Sequence, residues 1–472
     1  MKKYISYLDN ISVDTEMHEN TMRRLNQKPR HFRAAYRYGG LAACLAIVLA
    51  CVFVLQGLFS PNGIFNGGTK ISDNAHESGT TDESKPVLGA GNLMGAFTPN
   101  HVSGKAADDA FIAAQADFAV KLLQNSREEG DNALISPLSV MLALSMTANG
   151  AAGQTLEEME RVLGNNIKID ELNEYLYKYA RELTFFGELK IANSIWFRGR
   201  PDIGVKPEFL QKNADYYGAA AYAKPFDMET VAEINAWVKD KTDGLINEII
   251  NEIDPQTLMI LINALSFDAE WEIPYYRNFT GSGIFNAADG TKQDVIMMDC
   301  TGTMKFLNDG SATGFIKKYK NGRYGFAALL PNEGTTLEDY VAELDGEKLL
   351  NTLKNAENNY IFTSIPKFGF EYEVDMAETA LKAMGMPSAF ENADFSALID
   401  RDVYIGKVLH KAFIDVNELG TKAGAVTLVT VDECEDEATP PRVILDRPFL
   451  YAIIDNQTSL PVFIGTLNSV TG

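Results

Sequence analysis

Few side chains beyond residue 107 are of the kinds that do chemistry. His18, His31, His76 and His101 all precede that point, and His410 stands alone after it. A Ser-His-Asp triad or a multi-histidine metal site would have to be built on that one imidazole. Its plainer reading is a buried structural histidine. The four cysteines add little: Cys44 and Cys51 sit in an apolar run, and Cys300 and Cys434 lie far apart. That spacing shows neither a disulfide framework nor paired zinc ligands, so no metal and no cofactor are expected. Carboxylates are plentiful, and composition leaves open both a glycosidase's acid pair and a tethered adhesion protein. Neither accounts for the stretch that follows His410.

That stretch begins as a strand, with Ala412, Ile414 and Val416 alternating against Phe413, Asp415 and Asn417. Glu418-Leu-Gly420 offers a turn. Alternation then resumes with Thr421, Ala423, Ala425, Thr427, Val429 and Val431 on one face, all small or β-branched, while Lys422 and Asp432 belong to the other. The run ends in Asp432-Glu-Cys-Glu-Asp-Glu437, which must be solvated. A segment fit for a central strand but tied to an acidic loop invites the idea of a strand that is not always in its sheet.

His410-Lys-Ala-Phe-Ile-Asp-Val-Asn-Glu-Leu-Gly-Thr-Lys-Ala-Gly-Ala425 resembles the hinge of the serpins, inhibitors of serine proteases that carry a reactive-centre loop. Other segments match the family in order: Asn132-Ala-Leu-Ile-Ser-Pro-Leu-Ser139, Asn149-Gly-Ala-Ala-Gly-Gln-Thr155, Asn193-Ser-Ile-Trp-Phe197 and Ile262-Asn-Ala-Leu-Ser-Phe-Asp-Ala-Glu-Trp271. Leu330-Pro-Asn-Glu-Gly334, Ile365-Pro-Lys-Phe368, Asp446-Arg-Pro-Phe-Leu-Tyr451 and Phe463-Ile-Gly465 follow.

The resemblance implies a non-enzyme: a suicide substrate that traps a protease as its acyl-enzyme while the cut loop inserts into the central sheet. The loop's hinge would be Glu418, Gly420, Thr421, Ala423, Ala425 and Thr427. The buried polar cluster behind the parting strands would be Ser136, Ser139, Asn263 and His410, and Trp271 would lie under the top of the opening. Counting from Glu418 puts the bait bond at Cys434-Glu435, and counting back from Pro448 puts it at Glu437-Ala438; the first is preferred because hinge spacing fixes how much strand inserts. Small Cys434 suits an elastase-like pocket, and its acidic neighbours a basic cleft. Glutamate-preferring and subtilisin-type proteases are the runners-up. The alternative is a non-inhibitory serpin acting as a surface binding protein. Val426 is bulkier than the family's usual alanine and Lys422 replaces a common acidic residue, both on or near the outward set.

The elements that must position these residues read as α+β, helices first and then mixed strands. Asp108 or Asp109 caps a helix with Phe111, Ala114, Phe118 and Leu122 on one face, and Ser136-Pro137 starts another. Thr155-Leu-Glu-Glu158 has the form of a capping box, ended by Gly164. A further helix spans Thr230 to Ile250 with a break near Gly244. Strands are expected at Lys190–Phe197, Met259–Phe267, Phe326–Leu330, Tyr360–Phe368 and Val403–Asn417. The family resemblance implies one domain, 108–472, of three sheets and about nine helices.

Ahead of it, residues 1–38 are polar and basic, and Gly39 to Phe59 carry no charge. At ~1.5 Å per residue that run spans about 31 Å as a helix, enough to cross a bilayer's hydrocarbon core. Basic residues before it place the N-terminus in the cytoplasm and the rest outside the cell membrane. An uncleaved single-pass anchor is preferred over a signal peptide or a lipid attached at Cys51. Residues 60–107, rich in Gly, Asn, Ser and Thr, read as a flexible extracellular tether. A net charge of −22 argues against nucleic acid as a partner, and the expected state is a monomer meeting extracellular serine proteases.

Overall fold

A computed structural model describes residues 91–199, 204–421 and 440–471. The expected cytoplasmic segment, the apolar stretch 39–59 and Cys44, Cys51 and Cys434 lie outside the described residues. Among those that are described, no helix is long and apolar enough to cross a membrane.

The helices are α1 (Asp109–Ser126), α2 (Pro137–Ala148), α3 (Gly153–Gly164), α4 (Ile169–Thr184), α5 (Pro207–Tyr217) and α6 (Met228–Lys241). Then come α7 (Leu337–Ala342), α8 (Gly346–Lys354) and the three-residue α9 (Lys382–Met384). The starts follow from local chemistry. Asp108 accepts from Phe111 N at 3.0 Å to cap α1, and Ser136 accepts from Ser139 N at 3.2 Å at the head of α2, with Pro137 in the first turn. The Thr155–Glu158 pair behaves otherwise. α3 begins earlier, at Gly153, with no side-chain cap. Thr155 Oγ1 instead accepts from Asp394 N at 2.9 Å, and Glu158 binds Ser388 N and Oγ. Tertiary partners outcompeted the local cap. The helix expected to reach Ile250 stops at Lys241, and Thr242 Oγ1 accepts from Ile246 N in the turn that follows.

Three sheets carry the body. The first has four strands in the order β1 (Gly91–Asn92), β4 (Ala220–Lys224), β3 (Leu189–Arg198) and β5 (Met259–Phe267). Another four-stranded sheet runs β12 (Phe368–Asp375), β13 (Leu409–Val416), β14 (Gly420–Thr421), β6 (Ala269–Glu270). The largest starts with β15 (Arg442–Ile444), β11 (Glu357–Pro366), β8 (Lys292–Asn308) and β9 (Ala312–Lys318). It continues through β10 (Tyr324–Pro331), β16 (Phe449–Asp455), β17 (Pro461–Leu467) and β2 (Ala133–Ile135), with β7 (Thr280–Asn286) against β8. Tyr360–Phe368 proved to be two strands, parted at Pro366–Lys367, and the strand expected from Val403 starts only at Leu409. α2 is buried along almost its whole length between the sheets, as its Ala- and Met-rich sequence requires.

The first described residues lie inside the segment expected to be a tether, and they are docked on the body. Gly91 and Asn92 pair antiparallel with Ala223 and Tyr222, covering the outer edge of β4. Leu93 is buried behind them. Gln211 Nε2 donates to Thr98 O at 3.0 Å, Asn100 N to Asp215 Oδ1 at 2.7 Å, and Lys105 N to Glu174 O at 3.1 Å. One buried leucine with Met94 and Phe97 half-buried beside it, set among glycines and asparagines, leaves no periodicity to read, which is why composition misplaced this boundary. Leu93→Ala should destabilise the folded unit by about 2–4 kcal/mol, measured as a shift of the urea unfolding midpoint. A change no larger than that of an exposed-site control would show that the arm is not docked.

Candidate functional site

Asp268 interrupts the ladder between β5 and β6, and its N–H donates to Glu188 O at 2.9 Å. β6 carries on the direction of β5, and β14 runs antiparallel to it through Gly420↔Glu270 and Thr421↔Ala269. β14 is also antiparallel to β13, through Val416↔Thr421. β5 and β13 therefore point the same way, with Gly420–Thr421 wedged between them at one end. Among the described residues no ladder joins β5 to β13 below that wedge. A cleft runs there instead, lined by Leu261 and Asn263 on one side and Leu409, His410 and Lys411 on the other, with α2 as its floor.

The four expected cluster residues meet across this cleft through the first turn of α2. Ser136 N donates to His410 Nε2 at 3.2 Å, and Ser136 Oγ to Val462 O at 2.9 Å. Ser139 Oγ donates to Asn263 Oδ1. One end of α2 thus holds both strands, yet through different residues, the Ser136 main chain for β13 and the Ser139 hydroxyl for β5. The sequence reading missed a further member. Asn193, opposite Asn263 on β3, accepts from Asn263 Nδ2 at 2.6 Å and donates to Tyr217 O at 3.0 Å. An asparagine inside the apolar strand Ile191–Phe197 was the available signal. His410 is buried at the cleft wall, and burial holds its imidazole down at about 4, opposed by a hydrogen bond with the Leu134 main chain. It is neutral at neutral pH and accepts at Nε2.

The wedge is held as tightly. Trp271 is 1% exposed; its N–H donates to Leu419 O at 2.8 Å and its Nε1 to Asn417 O at 2.9 Å. Its ring stacks on Tyr319 at 4.5 Å. The Tyr319 phenol, kept protonated by burial, shares a 2.5 Å hydrogen bond with Thr421 Oγ1. Tyr275 N donates to Glu418 O at 2.8 Å, and Lys367 Nζ lies 3.1 Å from the Glu418 carboxylate. That last pair is half-exposed and is worth at most about 1 kcal/mol. Lys317, buried with its ammonium lowered in pKa by desolvation, packs over the Tyr275 ring at 4.3 Å and Trp271 at 5.6 Å. Gly420 is obligatory for a steric reason: a Cβ there would come 2.0 Å from Ala269 O. Tyr319 and Lys367 were not singled out as hinge partners from sequence, because only folding brings them to Thr421 and Glu418. Ala423, Ala425, Thr427, the Cys434-Glu435 bond and its Glu437-Ala438 alternative lie outside the described residues.

The comparisons agree with this geometry. A family model described as serpin (serine protease inhibitor) matches residues 113–470. An uncharacterised serpin-like protein of Thermococcus kodakarensis is 31% identical over 74% of this chain and 83% of its own length. Among solved structures, the thermophilic serpin tengpin in its native state superposes with a TM-score of 0.77 at 46% identity, covering 80% of this chain and 99% of that one. Its latent state gives 0.69 at 42% identity, covering 78% and 100%.

The histidine makes the site pH-sensitive in a defined direction. The unfolded chain takes up a proton near pH 6.5 and the folded one only near 4, so the contribution is complete above about 6.5 and lost as pH falls toward 4. On the order of 3 kcal/mol is at stake. Urea unfolding of the native protein and of His410→Asn at pH 7.5 and 4.5 tests this: the native protein should lose more than the variant, and equal losses would show that His410 is not the titrating group. With its buried polar cluster, its wedge between co-directional strands and a family match over three quarters of its length, the chain belongs to the serpin family.

Proposed function

We propose that this chain is an irreversible suicide-substrate inhibitor of serine endopeptidases, held outside the cell as a monomer by a single membrane helix at residues 39–59. One observation carries the reading: β5 and β13 run in the same direction with Gly420–Thr421 already antiparallel to both. A strand continuing from Thr421 meets both facing edges with the correct polarity, and the backbone donors and acceptors of those edges, which no ladder among the described residues joins, are its template. Thr421 faces the core, bonded to Tyr319. Strand alternation sends Ala423, Ala425 and Thr427 to the same side, over the α2 floor, where small or β-branched groups fit and charge does not.

Once a protease cuts Cys434-Glu435, or Glu437-Ala438, the freed arm is no longer held at both ends. Inserting about fourteen residues at roughly 3.3 Å each carries the acylated end some 45 Å. That is about the diameter expected of a body this size. The acyl-enzyme is dragged to the far pole before water can release it. The higher likeness to the native than to the latent tengpin structure supports a resting state that has yet to make this move. Small Cys434 between carboxylates favours an elastase-like target with a basic cleft.

Mixing the protein with an elastase-type protease should give a band of summed mass on a denaturing gel, and peptide fragments alone would favour the non-inhibitory alternative. Thr421→Arg would bring a charge under Trp271 and beside Tyr319. Cleavage should persist in that variant while the stable complex falls by at least about tenfold, roughly 1.4 kcal/mol in partitioning; undiminished trapping by it would remove the hinge from the mechanism. The nicked protein should melt above the intact one, and equal melting temperatures would mean no stored energy.

A further inference from the structure

The turn that joins α4 to β3 exposes two neighbouring phenylalanines, Phe185 at 78% and Phe186 at 58%. α4 stops at Thr184, and Gly187, at φ +88°, closes the turn by donating its N–H to Thr184 O at 3.1 Å. The two rings meet edge to face at 5.1 Å, away from the core. One turn back, Arg181 lies over the Tyr177 ring at 5.2 Å, and Lys178 reaches Glu182 only at 4.0 Å. These residues line one open groove with Gly104 of the N-terminal arm. The acidic groups at the other end of α4 are engaged elsewhere, Glu171 by Lys105 and Asp170 by Lys212 at 2.6 Å. On a chain of net charge −22 this tip pairs exposed aromatic rings with cations.

The arm that borders the groove comes from the charge-free stretch Gly39–Phe59, and residues 60–90 between them span at most about 110 Å. We infer that Phe185 and Phe186, with Lys178 and Arg181, are a contact site for an anionic lipid bilayer, the one that carries the chain's own anchor; this rests on the anchor reading above. Aromatic rings favour the headgroup level and the two cations meet anionic lipid. The consequence is orientation. β3 opens at Leu189, opposite Phe267 and two residues from the strand on which the hinge docks. Seating the phenylalanine pair turns the hinge end of the sheet toward the membrane and presents the bait loop to proteases working at that surface.

The full chain carrying Phe186→Trp is to be reconstituted in nanodiscs of phosphatidylcholine and phosphatidylglycerol, with and without brominated acyl chains. Of the three native tryptophans Trp196 and Trp271 are buried and Trp237, on α6, is partly exposed, so the unsubstituted protein supplies the baseline. Bromolipid should lower the added emission at least about twofold, and Lys178→Ala with Arg181→Ala should relieve that quenching. If the emission added by Phe186→Trp is unaffected by bromolipid in a nanodisc-bound protein, the contact is overturned while the anchor is spared. Protein that elutes apart from the discs overturns the anchor and the contact with it. If Phe185→Asp with Phe186→Asp slows protease trapping equally in discs and in detergent, the tip is a protease-docking surface and the lipid assignment falls.

Discussion

Two strands that point the same way and are held a strand's width apart cannot close on each other without removing what lies between them. At the level of Ala269 and Val416 that spacer is Gly420–Thr421, which sets β6 and β13 about 9.6 Å apart, twice the normal strand separation. The wedge is pinned by Trp271, by the Tyr319 hydroxyl and by a close approach to Ala269 O that only glycine permits. Everything below it follows: β5 and β13 bound separately to the head of α2, and a cleft whose edges have the polarity to accept a strand.

The polar cluster shows how such an arrangement is kept single-valued. Ser136 ties β13 to α2 through His410, and Ser139 ties β5 through Asn263 and, beyond it, Asn193 on β3. Each contact satisfies a group that would be costly to bury alone. None of these side-chain bonds runs directly from β5 to β13, so the strands can separate or be filled between without breaking the network's two halves. A neutral His410 suits this role, because an imidazolium could not accept the Ser136 N–H.

The docked arm adds a second constraint. By pairing with β4 it covers the outer edge of the sheet whose inner edge borders the cleft. The edge strand is thereby protected while the cleft side stays available. Reading residues 91–107 as tether failed because their stabilisation is tertiary: backbone pairing, one buried leucine and scattered amide contacts leave little trace in composition.

Much was legible one residue at a time. The caps at Asp108 and Ser136, the buried α2 and the strand Met259–Phe267 follow from local propensity and period, which depend on neighbours in sequence. Ordered motifs tied those pieces to a family. What the chain could not declare in one dimension was which polar groups would find each other: Thr155 giving up its cap for Asp394, Asn193 reaching Asn263, Lys367 meeting Glu418, and Tyr319 rising under Thr421. These pairings span tens to hundreds of residues, and their geometry exists only after the sheets have packed. Sequence alone determined that an alternating run of small and β-branched residues leads into Asp432-Glu-Cys-Glu-Asp-Glu437. Folding decided that two co-directional strands stand on either side of Gly420–Thr421, where that run begins, because strand direction and separation are properties of the packed sheet and not of any segment within it.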